Sequence, residues 1–93
     1  MTLNKRRIRL IIRGIVQGVG FRHHARHQAT LFGVAGFIQN HPDGGVVCVI
    51  EGDEIAIGHF IRWCRKGPTF AHVQSVDEQE EQFMEEFRIF EVR

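Results

Sequence analysis

Strand-like and helix-like hydrophobic patterns alternate along this chain in an order that few folds can accommodate. The segment Arg7–Arg13 alternates apolar residues with arginines, which is typical of a half-buried strand. Apolar and small residues then recur at helical spacing over residues 21–32. Gly33 follows, where the end of a helix favours a residue in the left-handed conformation. The chain is therefore predicted to begin with a strand and a helix.

The middle of the chain predicts a β-hairpin. Residues 34–39 and 46–51 are both strand-like, and the second of these segments is rich in the β-branched residues of a central strand. The turn between them contains Asp43-Gly44, a strong hairpin signal. We expect these two strands to pair directly.

A second amphipathic helix is predicted after the hairpin. Asp53 is a candidate N-cap, and Gly67-Pro68 would end the helix. We expect a fourth strand over residues 70–76, an acidic loop over 77–86 and a short last strand over 87–92. The apolar stripe of the helix consists of Ile57, Phe60, Ile61 and Cys64.

The predicted order is βαββαβ followed by a terminal strand. It matches the ferredoxin-like split βαβ arrangement, an α/β (α+β) sandwich. Because crossovers are right-handed, few alternative topologies remain, and we expect an antiparallel sheet with two helices on one face. Ninety-three residues allow one domain with one core, which we expect to span residues 1–93.

Positive charge is concentrated in the first half of the chain. Seven Lys and Arg residues precede the first acid, Asp43, whereas the remainder holds five cations and eleven acids. A basic first half favours an anionic partner, which could be a small phosphate or a polynucleotide. The acidic remainder argues against long nucleic acid.

The chain has no apolar stretch of about 18 residues that could span a membrane. Its basic residues 1–7 lack the apolar core of a signal peptide, so we expect a cytoplasmic protein. Cys48 and Cys64 lack the CxxC spacing of zinc and redox motifs and lie in apolar patterns. Buried free thiols are the expected state of both.

A glycine-rich run, Gly14–Arg22, lies between the first strand and the first helix. Amides that converge at a helix N-terminus beside a guanidinium form an anion cradle with a preference for phosphate. A Walker loop would need glycine in place of Val19, and a dinucleotide fingerprint would need glycine in place of His23. The run is therefore a phosphate cradle of another type, or a plain turn with Arg22 in solvent.

The segment Val16–Arg22, with the sequence VQGVGFR, resembles the signature of the acylphosphatase family. Similar residues continue through Gly36–Asn40, Asp43-Gly44, Glu51-Gly52 and Phe60–Pro68, with Ala71 and Val73, so that the resemblance runs from about residue 8 to residue 92. It implies a ferredoxin-like fold. It also implies hydrolysis of acyl phosphates to a carboxylate and inorganic phosphate, without metal or other cofactor.

The resemblance also implies the site residues. Arg22 would bind the phosphoryl oxygens together with the loop amides, and Asn40 would position the attacking water. Phosphoryl transfer needs charge stabilisation and an in-line nucleophile, and an amide side chain can both donate and accept hydrogen bonds to a water. Without the resemblance, the position of Asn40 between a strand and a turn would favour a turn role only. The phosphate-binding residues would be Gln17, Gly18, Val19, Gly20, Phe21 and Arg22.

Four histidines lie in or near the implied site. His41 occupies a position that is often threonine in the family, and it could orient the Asn40 amide or lie in a surface turn. His23 and His27 have the i, i+4 spacing of metal ligands, and His24 lies between them. Because no carboxylate or cysteine accompanies them, we expect solvated helix histidines that add positive charge when protonated.

Two alternatives to a free-standing enzyme remain. The first is a non-catalytic or accessory acylphosphatase-like domain, such as the one at the front of the hydrogenase-maturation carbamoyltransferases. The chain ends at Arg93, from which we expect the free-standing form. The second is a nucleic-acid-binding module on the same fold, which only the basic first half supports. We expect a monomer that takes a small-molecule acyl phosphate, with no membrane and no nucleic-acid partner.

Overall fold

The expected alternation of strands and helices is present in a computed structural model that describes residues 4–93. Residues 1–3 lie outside this range, so the expectation for the N-terminal segment is covered only in part. The elements in chain order are β1 (Lys5–Ile15), α1 (Phe21–Phe32), β2 (Ala35–Asn40), β3 (Val46–Asp53), α2 (Glu54–Lys66), β4 (His72–Glu81) and β5 (Phe90–Val92).

The five strands form one sheet in the order β4-β1-β3-β2-β5. The β2–β3 hairpin is antiparallel and pairs Asn40 with Val46, and β3 is the central strand as predicted. Strand β5 runs parallel to β2, so the sheet is mixed and not purely antiparallel. The ferredoxin-like arrangement is confirmed, with the terminal strand added at one edge.

Both helices cover the same face of the sheet. The alternation in β1 is confirmed, because Ile8, Leu10 and Ile12 are buried beneath the helices. The helix residues that complete the core are Phe21, Ala25, Ala29, Ile57, Phe60, Ile61 and Cys64.

Cys48 and Cys64 are buried free thiols, and burial raises the pKa of both. No helix in residues 4–93 is long and apolar enough to cross a membrane.

The expected acidic loop over residues 77–86 is wrong in its first half, because β4 continues to Glu81. Its acidic side chains are compensated by the arginines of β1, the neighbouring strand. Arg13 and Asp77 approach to 3.0 Å, and Arg6 and Glu80 to 2.6 Å. In the sequence, the acidic residues of 77–81 stand far from the β1 arginines that neutralise them. For this reason the sequence pattern indicated a loop there.

Asp53 precedes α2 but its side chain forms no capping hydrogen bond, contrary to expectation. Its carboxylate instead lies 2.7 Å from the ammonium group of Lys5. The first amide of the helix, that of Glu54, donates to the main-chain oxygen of Asn4 at 2.9 Å. The main-chain oxygen of Asn4, the residue before β1, therefore satisfies the first amide of α2.

The segment 82–89 connects β4 to β5, and Glu51 holds it in place. The Glu51 carboxylate is 3% exposed and accepts hydrogen bonds from the main-chain amides of Met84, Glu86 and Phe87. Arg7 donates to the same carboxylate at 3.3 Å. Burial raises the pKa of Glu51, but these four donors together outweigh it and the pKa is lowered. We call Glu51, Arg7 and these three amides the Glu51 clamp.

We predict that Glu51→Gln destabilises the fold by about 3 kcal/mol, because it removes a buried charge and leaves donors without a charged acceptor. Urea denaturation at neutral pH measures the loss. Glu80→Gln is the matched control, since the pair between Arg6 and Glu80 is exposed to solvent and should contribute far less to stability.

This difference should depend on pH. The pKa of Glu51 is lower in the folded protein than its usual 4.5, so its contribution is complete above that value. It is lost as the pH falls through the lower, folded pKa. The stability difference between the wild-type protein and Glu51→Gln should therefore shrink below pH 4.5. An equal difference at pH 7 and pH 3 would contradict a charged clamp.

Candidate active site

The loop between β1 and α1 is shaped by two glycines. Gly18 and Gly20 have φ angles of 75° and 78°, in the left-handed region that favours glycine. Val16 anchors the start of the loop in the core at 2% exposure. The carbonyl of Gly20 accepts the first helical hydrogen bond, from the His24 amide at 3.1 Å. The loop therefore leads directly into the N-terminus of α1, and we call residues 17–22 the cradle loop.

The main-chain amides of the cradle loop are available to bind an anion. None of them has a hydrogen-bond acceptor within residues 4–93. They lie at the N-terminus of α1, where unpaired amides and the helix dipole attract negative charge. No acidic residue lies in the first turn of the helix to compete for them. The loop thus has the chemistry of a phosphate cradle.

Gln17 fastens the cradle loop to the β2–β3 turn. Its side-chain amide donates to the main-chain oxygens of His41 and Gly45, each at 2.8 Å. The sequence prediction gave Gln17 only as a main-chain donor and missed this role of its side chain. The contact places the loop beside the residue that follows Asn40.

His41 contacts its own turn. Its Nδ1 atom lies 2.9 Å from Asp43 Oδ1 and 3.2 Å from the Asp43 amide nitrogen. The pKa of the Asp43 carboxyl is lowered, chiefly by a hydrogen bond from the Gly45 amide, with smaller contributions from His41 and Arg13. The turn is therefore organised around Asp43.

Arg22 lies in the first turn of α1, and its guanidinium is held by Arg93, the residue that follows β5. Its Nη1 atom donates to the main-chain oxygen of Arg93 at 2.8 Å. The Arg93 amide in turn donates to the Ile38 oxygen at 2.8 Å. Two hydrogen bonds thus connect the guanidinium to β2, and the sequence contained no signal that Arg93 would take part.

Asn40 is the last residue of β2, two positions after Ile38. Ile38 is fully buried beneath the helices, so the Asn40 side chain lies on the same face of the sheet. That side chain is exposed and forms no hydrogen bond to the described residues 4–93. Contacts from Gln17 on one side and Arg22 on the other therefore bring the cradle loop to the end of β2 that carries Asn40.

The three helix histidines do not converge. His23 and His27 line a cleft of about 510 Å³ between α1 and β5. His24 lines a different hollow of about 200 Å³, beside Val19 and Trp63. Within residues 4–93, no three His, Cys, Asp or Glu side chains are grouped so that they could hold a metal ion.

The basic first half of the chain is largely compensated. Five of its seven cations form ion pairs with acids: Lys5, Arg6, Arg7, Arg9 and Arg13. Charges that are paired within the sheet cannot serve as a continuous phosphate-binding surface for a polynucleotide. This pairing weakens the nucleic-acid alternative and leaves the uncompensated positive charge on α1.

A ferredoxin-like sandwich whose loop before the first helix has main-chain amides without an acceptor in residues 4–93 has the chemistry to bind a small phosphate group. The family model for acylphosphatase matches residues 8–92. The chain belongs to the acylphosphatase family, as the sequence resemblance predicted.

Relatives and solved structures agree with this assignment. An acylphosphatase from Rubrobacter xylanophilus is 43% identical over 88 residues, which cover 95% of this chain and 80% of the relative. The crystal structure of acylphosphatase from Bacillus subtilis is similar with a TM-score of 0.91 at 32% identity, covering 95% of this chain and 98% of that one. Full-length HypF, in a phosphate- and nucleotide-bound form, is similar with a TM-score of 0.86 at 25% identity. That match covers 100% of this chain but 12% of HypF.

Proposed function

We propose that this protein is an acylphosphatase that hydrolyses acyl phosphates to a carboxylate and inorganic phosphate. The observation that carries the proposal is the cradle loop, whose amides have no acceptor in residues 4–93 and whose last residue is an anchored arginine. Family membership supplies the reaction class, and the cradle supplies the means of binding the phosphoryl group.

The main-chain amides of residues 17–22 and the guanidinium of Arg22 bind the phosphoryl group. A guanidinium has five N–H donors, and the bond from Arg22 to Arg93 uses one of them. The remaining donors can bind two phosphoryl oxygens at once. Because the Arg93 oxygen already orients the guanidinium, little reorganisation is needed when charge develops on the phosphoryl oxygens in the transition state.

Asn40 positions the attacking water. Its exposed amide can accept a hydrogen bond from the water and donate another to it. The water oxygen forms the new bond to phosphorus while the bond from phosphorus to the acyl oxygen breaks. The carboxylate leaves with the electron pair, and the two protons of the water stay on the product as dihydrogen phosphate. A carboxylate is a good leaving group, so no strong general acid is required. The cradle loop contains no Cys, Ser, Asp or His, and we propose no covalent phosphoenzyme.

The finer properties follow from the same reasoning. We propose a reaction that does not depend on a metal ion, because Arg22 and the loop amides supply positive charge at the phosphoryl group. We further propose a monomeric, single-domain, cytoplasmic enzyme. Two buried free thiols fit a reducing compartment.

The alternative is an accessory acylphosphatase-like domain, which the match to part of HypF supports. This alternative predicts that the chain alone does not hydrolyse acyl phosphates.

Removing the guanidinium in Arg22→Ala should lower kcat/KM for benzoyl phosphate by at least about 10²–10³, the usual cost of one preorganised donor. Inhibition by inorganic phosphate should weaken in parallel. Arg62→Ala is the matched control, since Arg62 is an exposed arginine on α2. Near-normal turnover by Arg22→Ala would rule out the proposed role.

Asn40→Ala should separate chemistry from binding. The loss of a positioned water should lower kcat by roughly 10²-fold, the cost of a misplaced reactant, while inhibition by phosphate stays near the wild-type value. Gln39→Ala is the neighbouring control on the opposite face of the sheet. An equal loss of phosphate affinity would make Asn40 a binding or structural residue.

Full activity should persist after dialysis against EDTA. Replacement of His23, His24 and His27 together by Gln should change kcat/KM by less than about tenfold, because none of them is proposed to bind the phosphoryl group and they act on it only through the local field. Steady-state rates with and without added zinc provide the measurement. A collapse in EDTA that zinc reverses would make a metal part of the mechanism.

A further inference from the structure

The cleft between α1 and β5 carries positive charge on both of its walls. Arg26 contributes from α1, and Arg88 contributes from the segment before β5. His23 and His27 lie on the same wall as Arg26, and none of the described residues that line the cleft is acidic. Its volume of about 510 Å³ is enough for a small organic molecule.

The floor of the cleft is apolar. Ala29, Val34 and Phe90 line it and are all at least nine-tenths buried. Ile89 at its edge is 66% exposed. An apolar floor between cationic walls suits an organic anion with a hydrocarbon part better than a bare inorganic ion.

Arg26 follows Arg22 by one turn of α1. Side chains at i and i+4 lie on the same face of a helix, with Cβ atoms about 6 Å apart. Arg22 and Arg26 are the two cations before Asp43 that form no ion pair with an Asp or Glu side chain within residues 4–93. Two like charges at this spacing destabilise a helix. A bound anion with two negative groups would relieve this repulsion.

The direction of the helix sets the order of the two groups. The cradle loop and Arg22, the proposed phosphoryl site, lie at the N-terminus of α1. The cleft begins in the first turn of the helix, at His23, and extends toward Gly33 at the other end. A substrate whose phosphoryl group occupies the cradle can therefore extend its acyl part along the cleft. Arg26 is the first guanidinium that such an acyl part meets.

We propose that this cleft receives the acyl group of the substrate and that Arg26, assisted by Arg88, binds a second anionic group on it. The inference rests on the proposed role of the cradle loop as the phosphoryl site. The preferred substrates are then acyl phosphates whose acyl part carries a further negative charge. Arg26 and Arg88 are specificity-determining residues, separate from the residues that bind the phosphoryl group.

Two substrates that differ by one carboxylate test the inference: benzoyl phosphate and 3-carboxybenzoyl phosphate. The wild-type enzyme should have the higher kcat/KM for the carboxylated substrate. In Arg26→Gln the ratio of the two kcat/KM values should fall by about tenfold to a hundredfold, the cost of a hydrogen bond to a charged group. Arg88→Gln should lower the ratio in the same direction, and Arg26→Lys should restore part of it.

Arg62→Gln is the matched control, because it removes the same charge from an exposed position on α2 outside the cleft. Its substrate ratio should equal that of the wild-type enzyme. A ratio unchanged in Arg26→Gln, or lowered equally in Arg62→Gln, would overturn the inference while leaving the proposed function intact. Absence of turnover with both substrates in the wild-type protein would instead overturn the proposed function.

Discussion

The buried carboxylate of Glu51 connects the two sides of this molecule. It lies on the face of the sheet opposite the helices and accepts main-chain amides from the segment that links β4 to β5. That segment delivers β5 to the edge of β2, and Arg93 at the end of β5 holds the guanidinium of Arg22. An ionic interaction on one face of the sheet thus supports the position of a proposed catalytic residue on the other.

Charge is distributed in the same two-sided way. The arginines of β1 are neutralised by the acids of β4, so the sheet presents paired charges to solvent. The arginines of α1 form no such pairs within the described part of the chain. Net charge alone therefore says little about this protein, because an anionic substrate responds to the local position of cations such as Arg26 on α1 and Arg88 before β5.

Hydrophobic periodicity was sufficient to predict both helices, the hairpin and the central strand. It failed at residues 77–81, where strand formation depends on β1 arginines that lie more than sixty positions earlier. The VQGVGFR segment was sufficient to predict the position of the cradle loop, because its glycines and arginine lie close together in sequence. The anchoring roles of the Gln17 side chain and of Arg93 could not be predicted, because both contacts join segments that are distant in sequence.

The anchor of Arg22 has a consequence for the biosynthesis of the protein. The residue that orients this guanidinium lies 71 positions further along the chain. During synthesis on the ribosome, the cradle loop and α1 emerge early. Arg22 cannot form its hydrogen bond until Arg93, after the last strand, has also emerged. A nascent chain would therefore carry the whole signature motif, but the guanidinium of Arg22 would lack this hydrogen-bond partner until residue 93 has been synthesised.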